Sequence, residues 1–124
     1  MVLQAIGKDF TICKVEDSSS VDLAQEFVFL SKTDEELSLV CESSSTPPDV
    51  KERSDGWRAF RIEGVLDFSL IGILAKISTL LADAGIAIFA LSTYDTDYIF
   101  TRAGQFDRAL QVLEAEGYTT QSPQ

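Results

Sequence analysis

The 124-residue sequence predicts an α+β fold of ferredoxin-like order, βαββαβ, preceded by a strand-rich half. Three observations predict it. Apolar residues at positions 70, 73, 74, 77, 80, 81 and 84 recur with a helical period. Apolar strand-like runs flank that stretch on both sides. A polar Asp95-Thr96-Asp97 turn separates two of the runs that follow it.

Taken in order, residues 57–63 read as an imperfectly alternating strand that Gly64 ends. The helix over 70–84 is about 15 residues and roughly 22 Å long. Asp67 or Ser69 is its expected N-cap, Gly72 lies in its first turn, and Gly85 falls where a left-handed residue closes a helix. Residues 86–93 read as a buried, continuously apolar strand, and 98–102 as its returning partner. Phe106, Ala109, Leu110 and Leu113 mark a second helix ended by Gly117, and 118–120 a short last strand. In the first half, 2–6, 10–15, 27–32 and 37–41 are strand candidates. The stretch between 15 and 27 is too short for a helix like that of 70–84. The Ser-, Thr- and Pro-rich run from Ser43, continuing through charged residues to Asp55, is the expected linker. The division is therefore set at 1–55 and 56–124.

Composition narrows the chemistry. Twenty acidic against ten basic side chains give a net charge of −10. Such a field repels polyanions, so neither nucleic acid nor an anionic membrane is an expected partner. The chain holds no histidine. That removes the commonest general base, the Ser–His relay and most zinc sites. Cys13 and Cys41 sit in apolar strand-like runs and are expected to pack as small buried hydrophobes in a reducing cytoplasm. No apolar run reaches the roughly 20 residues of a membrane span, and the amino terminus lacks a basic, then apolar, leader pattern. No phosphate loop with lysine, GxSxG or CxxC occurs, so no cofactor, metal or catalytic activity is expected.

An internal repeat emerges at an offset of 61. Leu30, Ser31 and Asp34 match Leu91, Ser92 and Asp95, with Glu36 falling on Asp97. It suggests two copies of one hairpin-bearing unit, the first of them degenerate.

Two stretches carry binding chemistry. From Gly64 the chain turns and enters a helix through Asp67, Phe68 and Ser69. A helix start offers unpaired N–H groups and a partial positive charge that suit a carboxylate. The Asp67 carboxylate suits an ammonium group, so one loop holds both halves of what an amino-acid zwitterion requires. The same Asp67 and Ser69 serve equally well as plain helix caps. Ser92, Thr93, Tyr94, Asp95, Thr96 and Asp97 can line one wall of a cleft with hydroxyls, or simply form a hydrogen-bonded hairpin turn. Trp57 and Phe68 read as core anchors.

The run from Gly56 to Arg58, the run from Gly64 to Gly72 and the run from Phe89 to Tyr98 resemble ACT-domain proteins of the aspartate-kinase-like branch. They are similar to small stand-alone bacterial members and to the repeats of cytosolic arginine sensors. The run from Thr33 to Val40 is similar to the corresponding hairpin of those proteins. The resemblance implies a degenerate ACT-like half over 1–55 and an ACT domain over 56–124. It implies a cytoplasmic regulatory module that binds a small amino acid and forms a homodimer. The implied ligand-binding residues are Leu66, Asp67, Phe68, Ser69, Leu70, Ile71 and Gly72, faced by Phe89, Ala90, Ser92, Thr93 and Tyr94. The alternative is a ligand-free ACT-like module that holds a protein partner through the same surfaces.

Overall fold

The computed structural model describes residues 1–63 and 72–123. Strands are β1 (Val2–Lys14), β2 (Val28–Lys32), β3 (Leu37–Glu42), β4 (Arg53–Ile62), β5 (Ile88–Ser92), β6 (Asp97–Arg102) and β7 (Thr119–Gln121). The helices are α1 (Ile73–Asp83) and α2 (Phe106–Ala115). The chain forms two compact units, Met1–Gly7 with Arg58–Gln124, and Lys8–Trp57. β1 and β4 each contribute to both.

In the first of these units the strand order is β1–β4–β6–β5. This is the ferredoxin-like order with one substitution. The place beside β4 that the last strand of the motif normally fills is taken by the start of β1, where Glu63 N–H bonds Val2 O at 2.9 Å. The expected last strand does form, as β7, but it runs parallel to β1 with Val2 opposite Thr119. β1 itself is one continuous 13-residue strand where the sequence suggested two. Its exposed Gly7, Lys8 and Asp9 break the apolar pattern without breaking the strand.

α1 and α2 cover one sheet face. Ile77 and Leu81 of α1 and Phe106, Ala109 and Leu113 of α2 close on Leu3, Ala5, Phe60, Ile62, Ile86 and Ile99. Each large aliphatic or aromatic side chain so buried is worth about 1.5–3 kcal/mol. The helical spacing read from the sequence is what aligns these residues in one stripe.

α1 begins at Ile73 rather than at the expected Leu70. Gly72 holds φ +80, a left-handed conformation that no helix interior accepts, so it precedes the helix instead of lying in its first turn. The expected caps Asp67 and Ser69 lie outside the described residues. At the other end Gly85 (φ +76) allows its own N–H to reach Ala82 O and the Ile86 N–H to reach Leu81 O, both at 2.9 Å. This paired closure is the Schellman arrangement. Arg108 of α2 adds a bond from Nη2 to Ala84 O at 2.6 Å.

β5 is half-buried rather than buried. The reason is its place at the end of the strand order, with β6 on one side.

In the second unit the order is β2–β3–β1–β4. The stretch from 15 to 27 forms turns and no helix. One face carries a small core of Cys13, Leu39 and Cys41, flanked by Val15, Val21, Val28 and Val50. Both cysteines are buried free thiols. The expected linker is structured at both ends. Ser43–Ser45 makes one short 3-10 turn, and β4 already runs from Arg53. Asp55 is held there by Arg53 (Nη2 to Oδ1, 2.9 Å) and by the Thr11 hydroxyl (2.6 Å).

The hairpins β2–β3 and β5–β6 share one turn design. Thr33 N–H bonds Glu36 O at 2.9 Å, and Thr93 N–H bonds Thr96 O at 2.8 Å. Thr93 follows Thr33 by 60 positions (93 − 33), so the structural offset is one less than the 61 of the sequence match. A one-residue slip exchanges the two faces of a strand, and Leu30 therefore corresponds to Ala90, not to Leu91.

Candidate functional site

The start of α1 is the better described half of the expected site. Its first helical bond runs from Lys76 N–H to Gly72 O at 2.9 Å. The N–H groups before it have no intrahelical acceptor by geometry. No described side chain caps them, and the first turn carries no acidic residue. A shallow pocket of about 280 Å³ lies against this turn, lined by Met1, Ile73, Lys76, Glu116, Gly117 and Tyr118. The loop residues Leu66, Asp67, Phe68, Ser69, Leu70 and Ile71 lie outside the described residues.

The β5–β6 hairpin is the other half. Ser92 pairs with Asp97 across the ladder and its hydroxyl donates to Asp97 Oδ1 at 2.5 Å. The Thr93 hydroxyl donates to Thr96 O at 3.2 Å. Both hydroxyls are thus engaged within the hairpin. Tyr94, at the tip, is 82% exposed. Phe89 stacks on Phe100 with ring centroids 4.4 Å apart and planes 4° from parallel. Ala90 sits opposite Ile99.

One contact that the sequence did not single out ties this hairpin to the strand from which the loop departs. Thr96, nearly buried, donates its hydroxyl to Ile62 O at 2.7 Å. Ile62 is the last residue of β4. Nearby, Arg61 donates from Nη1 to the Tyr98 hydroxyl at 3.2 Å, with its guanidinium 6.0 Å from that ring. Glu63 Oε2 pairs with the same cation through charge, 3.8 Å from Arg61 Nε. Arg61 and Tyr98 gave no local motif, because they are separated by 37 positions and meet only across the sheet.

A larger open cleft of about 690 Å³ lies in the Lys8–Trp57 unit. Glu16, Asp17, Glu35, Glu36, Asp49 and Glu52 line it, with Lys14 tied to Glu52 at 3.5 Å. None of the residues expected to bind a ligand lines it.

Two helices on one face of an antiparallel sheet define a small ferredoxin-like α+β module. The ACT domain family matches residues 52–115, more than half of the chain, and the chain belongs to that family. ACT domains are in general regulatory modules that bind amino acids. No curated protein sequence matches the chain. Among solved structures, Atu0741 from Agobacterium tumefaciens is 27% identical with a TM-score of 0.88, over 99% of this chain and 93% of that one. VC0802 from Vibrio cholerae, a protein of unknown function, is 23% identical with a TM-score of 0.75, over 90% and 85%. The regulatory subunit of aspartate kinase from Thermus thermophilus is 10% identical with a TM-score of 0.63, over 91% and 95%. At those identities the last two show a shared fold. Among the described residues no helix is long and apolar enough to cross a membrane.

Proposed function

We propose that this chain is a cytoplasmic regulatory module that binds a small amino acid between the α1 start and the β5–β6 hairpin, and that it works as a homodimer. The observation that carries the reading is the start of α1. Its first-turn N–H groups follow a left-handed Gly72, with no described side chain and no first-turn carboxylate to occupy them. Such a helix end suits the carboxylate of an amino acid. Asp67 supplies the partner for the ammonium group, and Leu66, Phe68, Leu70 and Ile71 the apolar surroundings of the side chain. The matched family span of 52–115 contains all of these positions.

The Thr96–Ile62 bond supports the second half of the reading, since it draws the hairpin tip to the strand end that leads into the loop. The first half of the chain acts as a support, because it lacks a helix whose start would form an equivalent seat. β5 ends the strand order of its unit and carries no charged residue, which suits pairing with a second copy.

A second reading has one observation of its own. The Ser92 and Thr93 hydroxyls are already bonded inside the hairpin, as in a module that holds a protein and no small ligand. A thermal-shift screen with each of the twenty amino acids separates the two. A stabilising hit supports the sensor, and no hit at millimolar concentration supports the interaction module.

A further inference from the structure

Cys13 on β1 and Cys41 on β3 stand on one face of the antiparallel pair. Thr11 is opposite Cys41 and Cys13 opposite Leu39, so the two cysteines are diagonal neighbours. Both are buried free thiols within one small core cluster. Cys41 Sγ also lies 3.6 Å from the Thr46 hydroxyl. Leu39 fills the space beside them, and Val15, Val21, Val28 and Val50 flank the cluster. We propose that Cys13 and Cys41 form a two-coordinate thiolate site for a soft d10 cation of the Cu(I) class.

Geometry favours a bridging ion over a disulfide. Diagonal positions of an antiparallel pair are about 7–8 Å apart at Cα. A disulfide usually spans about 4.4–6.8 Å, so closing one here requires the backbone to move. Two metal–thiolate bonds in line separate the sulfurs by well over one S–S bond and suit the longer diagonal.

Ligand chemistry favours a soft ion of low coordination number. Thiolates select Cu(I), whereas structural zinc requires about four ligands. The chain has no histidine, and among the described residues no group of three metal-ligating side chains exists. The site gives two sulfurs and a dry wall of valines.

Loading has to remove the proton from both thiols. The Cys13 thiol is pushed up to about 11 by burial first and by Cys41 next, and the Cys41 thiol is also raised by burial. The Arg53 charge opposes this at both, while Asp55 adds to it at Cys13 and Glu42 at Cys41. Loading then reads: two thiols plus Cu(I) give one bis-thiolate cuprate and two protons. The product carries one net negative charge. No oxidant is consumed, and the copper stays Cu(I).

The test is titration of the full reduced chain with Cu(I) in competition with a colorimetric Cu(I) chelator, followed by X-ray absorption of the loaded protein. The expected result is one Cu(I) per chain with two sulfur neighbours and no nitrogen or oxygen neighbour. Cys13→Ser and Cys41→Ser should each weaken binding by more than about 100-fold, beyond the cost of losing an outer-shell partner. Circular dichroism shows whether those variants fold, and the absorption measurement on the unaltered chain does not depend on them. Three outcomes overturn the proposal: no uptake against the chelator, a copper with nitrogen or oxygen neighbours, or uptake unchanged in both serine variants.

Discussion

The hydroxyl of Thr96 donates to the backbone carbonyl of Ile62 at 2.7 Å, fastening the tip of the β5–β6 hairpin to the end of β4. Thr96 is the polar residue of its turn that is buried, with 9% of its surface exposed. A turn rich in hydroxyls is usually solvated, whereas here one hydroxyl is turned inward as a fastener.

Thr96→Val should therefore leave a buried carbonyl without its partner and cost about 1–3 kcal/mol. Thr96→Ser should recover most of that. Urea denaturation of the three proteins reads the difference. A valine variant as stable as the parent would show that the hairpin is held by its ladder alone.

Binding of an amino acid should raise the melting temperature. At 100 times the dissociation constant a ligand adds about 2.7 kcal/mol, a shift of several degrees for a domain of this size. With a hit in hand, Asp67→Ala should abolish the shift and leave the unliganded melting temperature nearly unchanged. A large fall of the unliganded value would make Asp67 a helix cap instead of a ligand.

Acid stability should depend on Asp55. The bonds from Arg53, and then from Thr11, hold its carboxyl below the usual value. A carboxyl whose folded pKa is depressed contributes stability above its unfolded pKa and loses it as pH falls through the folded value. Asp55→Asn should flatten that acid limb while changing the neutral-pH shape of the titration little. Equilibrium unfolding at several pH values below 5 measures it. An unchanged acid limb in the variant would assign the dependence to other carboxylates.

Arg108→Ala should loosen the end of α1. The lost bond to Ala84 O combines a cation with the negative end of a helix, worth about 0.3–1 kcal/mol at an exposed position. Amide exchange should quicken at Ala84, Gly85 and Ile86 and not at the α1 start. Uniform quickening along the helix would mean that Arg108 supports packing instead.

Much of the C-terminal unit was legible because its signals are local. The period of 77, 80, 81 and 84 and the glycine at 85 fix α1 and its closure from adjacent residues alone. The α1 start was misplaced by three residues because Gly72 reads as an ordinary helix position until its left-handed φ is seen. The hairpin repeat was found at the wrong offset because the Leu, Ser and Asp identities outweigh the turn. Hydrogen bonding aligns Thr33 with Thr93, which a residue-type match scores as one position among many. The fourth-strand role of β1 left no trace near 118–120, since pairing partners distant in sequence share no period. That a helix follows the loop is readable from its period, but the Thr96–Ile62 bond is not, because a buried and an exposed turn threonine are written with the same letter.

β1 precedes the other described elements along the chain, and its opening residues complete the unit that carries α1 and α2. At roughly 5–20 residues per second, they wait on the order of ten seconds before α2 and β7 exist to be joined. The C-terminal unit therefore cannot close progressively behind the ribosome, and a fragment starting at residue 58 would lack a central strand. Joining the segment 1–7 to the carboxy end by circular permutation restores that strand. It turns the last event of folding into a local one.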